Sequence, residues 1–228
     1  MKLKNTLILM SLVSSFFVAG SVYAADVVGD VSAGTTGLGL HASIPFDTDI
    51  NLRFGVNQMK LSTVMKDADG DTNVNITLNT LDALLDWFPL ESSFHVTGGL
   101  VYNGNNIDTV TQLNGLTYKG ATYTPNAGSG KLGQVDGSFK VGNIISPYIG
   151  IGWGNVLAQT AGWGFASDVG LLFHGKPQIS LRSTGCTADP ATCTLVAKGV
   201  ADEEAKLNDE YASKIIYPVA RIGVSYKF

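Results

Sequence analysis

The sequence predicts an all-β protein, a single transmembrane antiparallel up-and-down β-barrel, and three observations point there. The chain ends in IYPVARIGVSYKF, where Ala220, Ile222, Val224, Tyr226 and Phe228 share one face and Arg221, Gly223, Ser225 and Lys227 share the other. A period of two is a strand. A soluble sandwich strand would alternate too, but an apolar face closed by Tyr226 and a terminal Phe228 suits the aromatic girdle at a membrane interface, with polar side chains turned to a lumen. The second observation is the N-terminus. Lys2 and Lys4 precede an apolar run from Leu7 to Ala19 and a small-residue site at Val22-Tyr23-Ala24, the pattern of a secretory signal peptide over residues 1–24. The mature chain, 25–228, then reads as one barrel domain. The third is distribution: apolar residues are 45% of the chain and glycines number 27, yet nothing after the signal is a block long enough for a spanning helix. Apolar side chains are spread by alternation, as in strands with lipid on one side and water on the other.

The strands follow in order. Val27, Gly29, Val31 and Ala33 alternate with Asp26, Val28, Asp30 and Ser32, and Gly34-Thr35-Thr36-Gly37 is a tight turn. A second strand runs from Leu38 to Ile44. The third starts at Ile50 and sends Leu52, Phe54 and Val56 outward and Asn51, Arg53 and Asn57 inward. From Val74 to Trp87 the apolar phase changes near Leu78 to Leu81, which predicts a β-bulge. A strand from Phe94 to Asn103 precedes the longest irregular stretch, 104 to 133, where Asn114-Gly115 signals a hairpin. Strands over 134–141, 147–155, 163–173 and 178–183 come next, then a short helix over 200–213 and the closing strand. This gives ten strands, with eight as the alternative count. Short periplasmic turns are expected at 45–49, 89–92, 142–146 and 174–177, and longer extracellular loops at 62–73, 104–133, 156–162 and 184–214.

The residues that could carry chemistry are few. The inward positions predict a charged lumen of Asp30, Arg53, Asp82, Asp86, Asp136, Lys140, Asp168, Arg182 and Arg221, with His41, His95 and His174 nearby. These charges either pair across a narrow interior filled by its own side chains or line an aqueous path that selects solutes. Cys186 and Cys193 bracket turn residues in an exported chain and are expected to form a local disulfide rather than a metal site. Asp67, Asp69 and Asp71 place oxygens at alternate positions, but the glycine position and the missing distal Glu depart from a calcium loop. Outward Phe54, Trp87, Tyr102, Trp153, Trp163 and Tyr226 read as interfacial girdles. His41 and Ser43 share a face but lie about 7 Å apart along the strand, and the nucleophile-elbow motif is absent. No enzyme and no cofactor is expected. A net charge of −4 and a pI near 5.2 argue against nucleic acid. Expected partners are outer-membrane lipid and lipopolysaccharide, a small solute, and the barrel-assembly machinery, for which Tyr226 and Phe228 form the C-terminal signal.

Several stretches carry a family resemblance: Gly34-Thr35-Thr36-Gly37, Ser146-Pro147-Tyr148-Ile149-Gly150-Ile151-Gly152, Gly175-Lys176-Pro177-Gln178-Ile179-Ser180-Leu181 and Tyr217-Pro218-Val219. With these the chain resembles the CarO-type outer-membrane proteins, porins linked to ornithine uptake and carbapenem susceptibility. The resemblance implies passive uptake of small, basic solutes, with acidic lumen side chains as attractors. The loop between Cys186 and Cys193 departs from the family pattern. The expected function is therefore a narrow diffusion channel for small hydrophilic solutes in the cell outer membrane of a Gram-negative envelope, or else a plugged structural or surface-interaction barrel.

Overall fold

The computed structural model describes residues 27–67, 70–89, 92–124, 130–154 and 161–227. The signal segment, Asp26, Asp69 and Phe228 lie outside the described residues, as does the side chain of Asp67. Eight strands pair into a closed ring: β1 (Val28–Gly34), β2 (Gly37–Asp47), β3 (Ile50–Asp67), β4 (Gly70–Trp87), β5 (Phe94–Asn103), β10 (Ile145–Trp153), β11 (Gly162–Phe173) and β13 (Ile216–Lys227). Every pairing is antiparallel, and β13 closes on β1 from Val28 opposite Lys227 to Gly34 opposite Arg221. Closure removes the free edges that an open sheet would carry.

Burial along these strands is inside out for a soluble protein. On β2 the buried positions are glycine, His41 and Ser43, and the exposed ones are Leu38, Leu40, Ala42 and Ile44. Across the ring, Asn51, Thr80, Thr97 and Ser225 are fully buried while Phe54, Val56, Leu81, Ile149 and Val224 stand about half exposed. Only a hydrocarbon solvent makes that arrangement favourable. Trp87, Trp153, Trp163 and Tyr226 cluster at the end that holds both termini, where Trp163 and Tyr226 meet edge to face at 5.1 Å. They form the periplasmic girdle. Tyr102 stands at the opposite end and Phe54 at mid-span.

The ring has the smaller of the two expected strand counts; of the two strands whose loss would give eight, the first and 178–183, the second does leave the wall, and 134–140 leaves in place of the first. Residues 134–140 and 178–184 become β9 (Gln134–Lys140) and β12 (Gln178–Thr184), which join β6 (Asn106–Gln112) and the upper half of β4. The result is a sheet, ordered β3, β4, β6, β9, β12, that rises past the extracellular rim. Losing two passes reverses the connections between them. The 142–146 and 174–177 turns, expected in the periplasm, lie at the extracellular rim, where the Asn143 N–H donates to the His174 carbonyl at 2.7 Å. The end of β10 at Trp153 and the start of β11 at Gly162, between which an extracellular loop is expected, lie at the end of the ring that holds Val28 and Lys227.

The predicted bulge is absent. From Ile50 opposite Trp87 to Asp67 opposite Gly70 the β3–β4 register is unbroken. The apolar phase changes because the solvent does: below Thr80 the odd positions face lipid, whereas above it Val74, on the inner face, is the buried one. The Asn114-Gly115 hairpin is also displaced. The short strands β7 (Leu116–Tyr118) and β8 (Ala121–Tyr123) pair around Lys119 and Gly120, both with positive φ, as a two-residue primed turn requires.

The helix is longer than its composition suggests. α1 spans Pro190–Tyr211, capped by Asp189, whose side chain accepts the Thr192 N–H at 3.0 Å, with Pro190 in the first turn. The Cys186–Cys193 disulfide forms, tying the segment after β12 to that first turn. Val196 and Val200 bury with Leu132 against Leu113, Leu116, Val135 and Leu181. Following the ladder from Val74 through Thr109 to Gly137 and Leu181 puts this core on the bore-facing side of the raised sheet. The helix therefore sits on the inner side, above the mouth.

Candidate functional site

Of the nine charges predicted for the lumen, six lie inside the ring: Asp30, Arg53, Asp82, Asp86, Asp168 and Arg221. Asp136, Lys140 and Arg182 belong to β9 and β12 and stand on the outer face of the raised sheet. Their strands alternate correctly but are not part of the wall.

The six are drawn into two clusters. Arg53 on β3 donates through Nη1 to Asp168 Oδ2 at 2.6 Å and through Nη2 to Asp168 Oδ1 at 2.8 Å and Asp86 Oδ1 at 2.9 Å. The Thr97 hydroxyl donates to the same Asp86 oxygen at 2.6 Å. Arg221 on β13 donates through Nη1 to Asp82 Oδ2 at 2.7 Å, and Asn57 adds a bond to that oxygen at 2.9 Å. His41 lies between two carboxylates, with Nδ1 3.0 Å from Asp30 and Nε2 3.4 Å from Asp82.

Position in the ring gives these contacts their meaning. β3 and β11 are four strands apart around an eight-stranded ring, as are β4 and β13. Arg53–Asp168 and Arg221–Asp82 are thus struts across the diameter of the bore, in two adjoining layers. Side chains fill what is left. A Cβ added at Gly55 would strike the His41 ring, one at Gly152 the His95 ring, and one at Gly150 or Gly170 the Tyr148 hydroxyl. Glycine on the inner wall is what admits these large rings. Toward the extracellular side Leu84, Val101, Tyr148, Leu172 and Val219 close into an apolar layer, with the Arg221 guanidinium 5.5 Å from the Tyr148 ring centre.

Buried ion pairs of this kind add little net stability, since desolvation offsets the attraction, but they fix geometry and are expensive to break singly. Ser32 Oγ, at 3.5 Å, and Asp30 approach the same His41 ring nitrogen, while Arg221 Nη1 lies 3.3 Å from the other. Toward the periplasmic end, both amide atoms of Asn51, both ring nitrogens of His95 and the Ser225 hydroxyl are buried without a hydrogen-bond partner among the described residues. Groups in that state ordinarily hold water.

Sequence reasoning missed Asn57, Thr97 and Tyr148 as members of the network. Inward parity alone marks Asn57 and Thr97; nothing in a single sequence shows which carboxylate each would meet.

No protein-family model matches the chain, and no curated protein does. Solved structures do. The chain overlays CarO of Acinetobacter baumannii with a TM-score of 0.59 at 21% identity, over 89% of this chain and 98% of that one. It overlays CarO2 of the same organism with the same score and identity, over 90% and 99%. At that identity the likeness is one of fold, and it covers nearly the whole of both chains: this protein has the CarO-type outer-membrane barrel fold.

Proposed function

We propose that this protein is an outer-membrane barrel with a closed bore, serving as a rigid anchor that presents a sheet and helix at the cell surface. The observation that carries this reading is the pair of struts between opposite strands, Arg53–Asp168 and Arg221–Asp82. A solute passing between periplasm and exterior would have to break both, with each break leaving a buried charge unpaired. On this reading β13 is also the strand offered to the barrel-assembly machinery. No catalysis is assigned.

A second reading, a narrow channel for small hydrophilic and preferentially basic solutes, draws on the buried polar atoms of Asn51, His95 and Ser225 that have no hydrogen-bond partner among the described residues. Single-channel recording in planar bilayers separates the two. Folding is verified first by heat-modifiable gel mobility. The closed-bore reading expects no steps above background from the native protein, and discrete steps from Arg53→Ser combined with Arg221→Ser. Regular steps from the native protein would overturn it. In that case Asp82→Asn with Asp86→Asn should lower the cation preference, read as a shift in reversal potential in a salt gradient.

A further inference from the structure

The outer face of the raised sheet is unlike the wall beneath it. Because the β3–β4 register does not break, Lys60 continues the face that carries Phe54 and Val56 toward lipid. The ladder passes that face from Lys60 to Thr77, to Asn106, to Lys140 and to Gln178, each directly opposite the next. These five residues form a straight row across the base of the sheet, just above the membrane. All are polar, and the two lysines and Gln178 are exposed. Strand spacing puts the lysines about 14 Å apart. Neither lysine takes part in an ion pair among the described residues. The nearest carboxylates on this face, Asp108 and Asp136, stand one and two rows farther from the membrane, and both accept hydrogen bonds from neighbours. Within the row, Asn106 Oδ1 is a buried acceptor with no partner among the described residues. The helix cannot cover this row, because Phe139 meets Tyr211 of α1 on the opposite face.

Height decides what meets the row. Val56 is exposed to lipid, and Lys60 lies four residues beyond it, about 10 Å higher once the strand tilt is allowed for. That is the headgroup layer, into which a lysine stem extends with its ammonium at the phosphates.

We propose that Lys60, Thr77, Asn106, Lys140 and Gln178 form a docking surface for the phosphorylated sugar headgroup of an outer-leaflet glycolipid. The lysines take phosphates on separate positions of the headgroup. Asn106 Oδ1 accepts from a sugar hydroxyl, and Gln178 and Thr77 complete the polar contact. The acyl chains run down the wall below, past Val56, Leu81, Tyr102 and Ile145, all exposed. The occupant is a membrane lipid because the site is continuous with that lipid-facing wall.

The test uses the full-length protein in phosphatidylcholine nanodiscs doped with lipid A bisphosphate, its dephosphorylated form, or phosphatidylglycerol, with retained lipid counted by native mass spectrometry. Each lysine near an anionic surface is worth about a fivefold change in affinity. Lys60→Gln with Lys140→Gln should therefore cut retention of the bisphosphate form by roughly twenty-five-fold, while Lys206→Gln, on the far side of the module, leaves it unchanged. Both variants replace exposed side chains, and heat-modifiable mobility confirms folding. Equal retention by native and double-variant protein would overturn the proposal. So would equal retention of phosphatidylglycerol, which would mean charge without sugar recognition, or displacement of the glycolipid by millimolar inorganic phosphate, which would mean a free-anion site.

Discussion

Arg53 is the residue on which the interior turns, since one guanidinium meets carboxylates from two other strands. Replacing it with Met keeps the volume but leaves Asp86 and Asp168 buried without the guanidinium that joins them. The expected loss is about 3 to 5 kcal/mol, read as a lower urea midpoint in detergent, and adding Asp168→Leu should restore a large part of it. Lys206–Glu203 on the helix surface is the contrasting case, 3.3 Å apart but exposed; Lys206→Ala should move stability by no more than about 0.5 kcal/mol. Gly55 fails differently. A methyl there meets His41, so Gly55→Ala should displace the ring from Asp30 and Asp82 at about 1 to 3 kcal/mol, visible as a shifted imidazole resonance. At this scale the inward charges of β1, β3, β4, β11 and β13 were legible, because side-chain parity needs only the strand. Their partners were not. A contact between Arg53 and Asp168 joins residues 115 apart in sequence, and only closure of the ring brings them together.

Elements show where a local rule met a changed environment. β4 reads as a strand with a phase slip, yet its backbone is regular and the bilayer ends partway along it. Hydrophobic period reports which side is apolar, and that side switches when lipid gives way to water. The helix was legible in its second half through Ala, Glu and Lys, while Asp189-Pro190, a start signal, was absorbed into the turn expected between the cysteines. β12 is the sheet's edge, and α1 covers it with side chains: Asn208 Oδ1 accepts the Ile179 N–H at 3.1 Å, its Nδ2 donates to the Ile179 carbonyl at 2.8 Å, and Glu204 accepts the Leu181 N–H at 2.6 Å. This protects an otherwise open edge. Asn208→Ala with Glu204→Ala should speed hydrogen exchange at Ile179 and Leu181 and leave β5 and β10 unchanged. The helix start is pH-sensitive. The Thr192 hydroxyl and N–H hold the Asp189 carboxyl below its ordinary pKa, so its contribution is complete above the unfolded value near 4 and is lost as pH falls through the lower folded value. Acid should fray α1 from its first turn, and Asp189→Asn, which keeps an acceptor without a charge, should flatten that dependence.

The whole molecule is two bodies of opposite logic, a ring with apolar residues outside and a raised sheet and helix with apolar residues within. Alternation revealed the ring but not where it stopped, because β9 and β12 alternate as well as any wall strand. What removes them is that β5 meets β10 directly, and β11 meets β13. The division predicts separable stabilities. The disulfide joins residues seven apart, entirely within the raised body, and closing so short a loop is worth about 2 to 3 kcal/mol in the chain-entropy model. That stabilisation should belong to the module alone, since the ring is held by its own ladders and struts. Cys186→Ala with Cys193→Ala should therefore leave heat-modifiable mobility and the urea midpoint of the barrel where they were, while limited proteolysis cuts between Thr184 and Tyr211 much faster than in the native protein. A barrel midpoint that falls with the module would show the two bodies to be one cooperative unit, with the helix above the mouth bracing the ring below it.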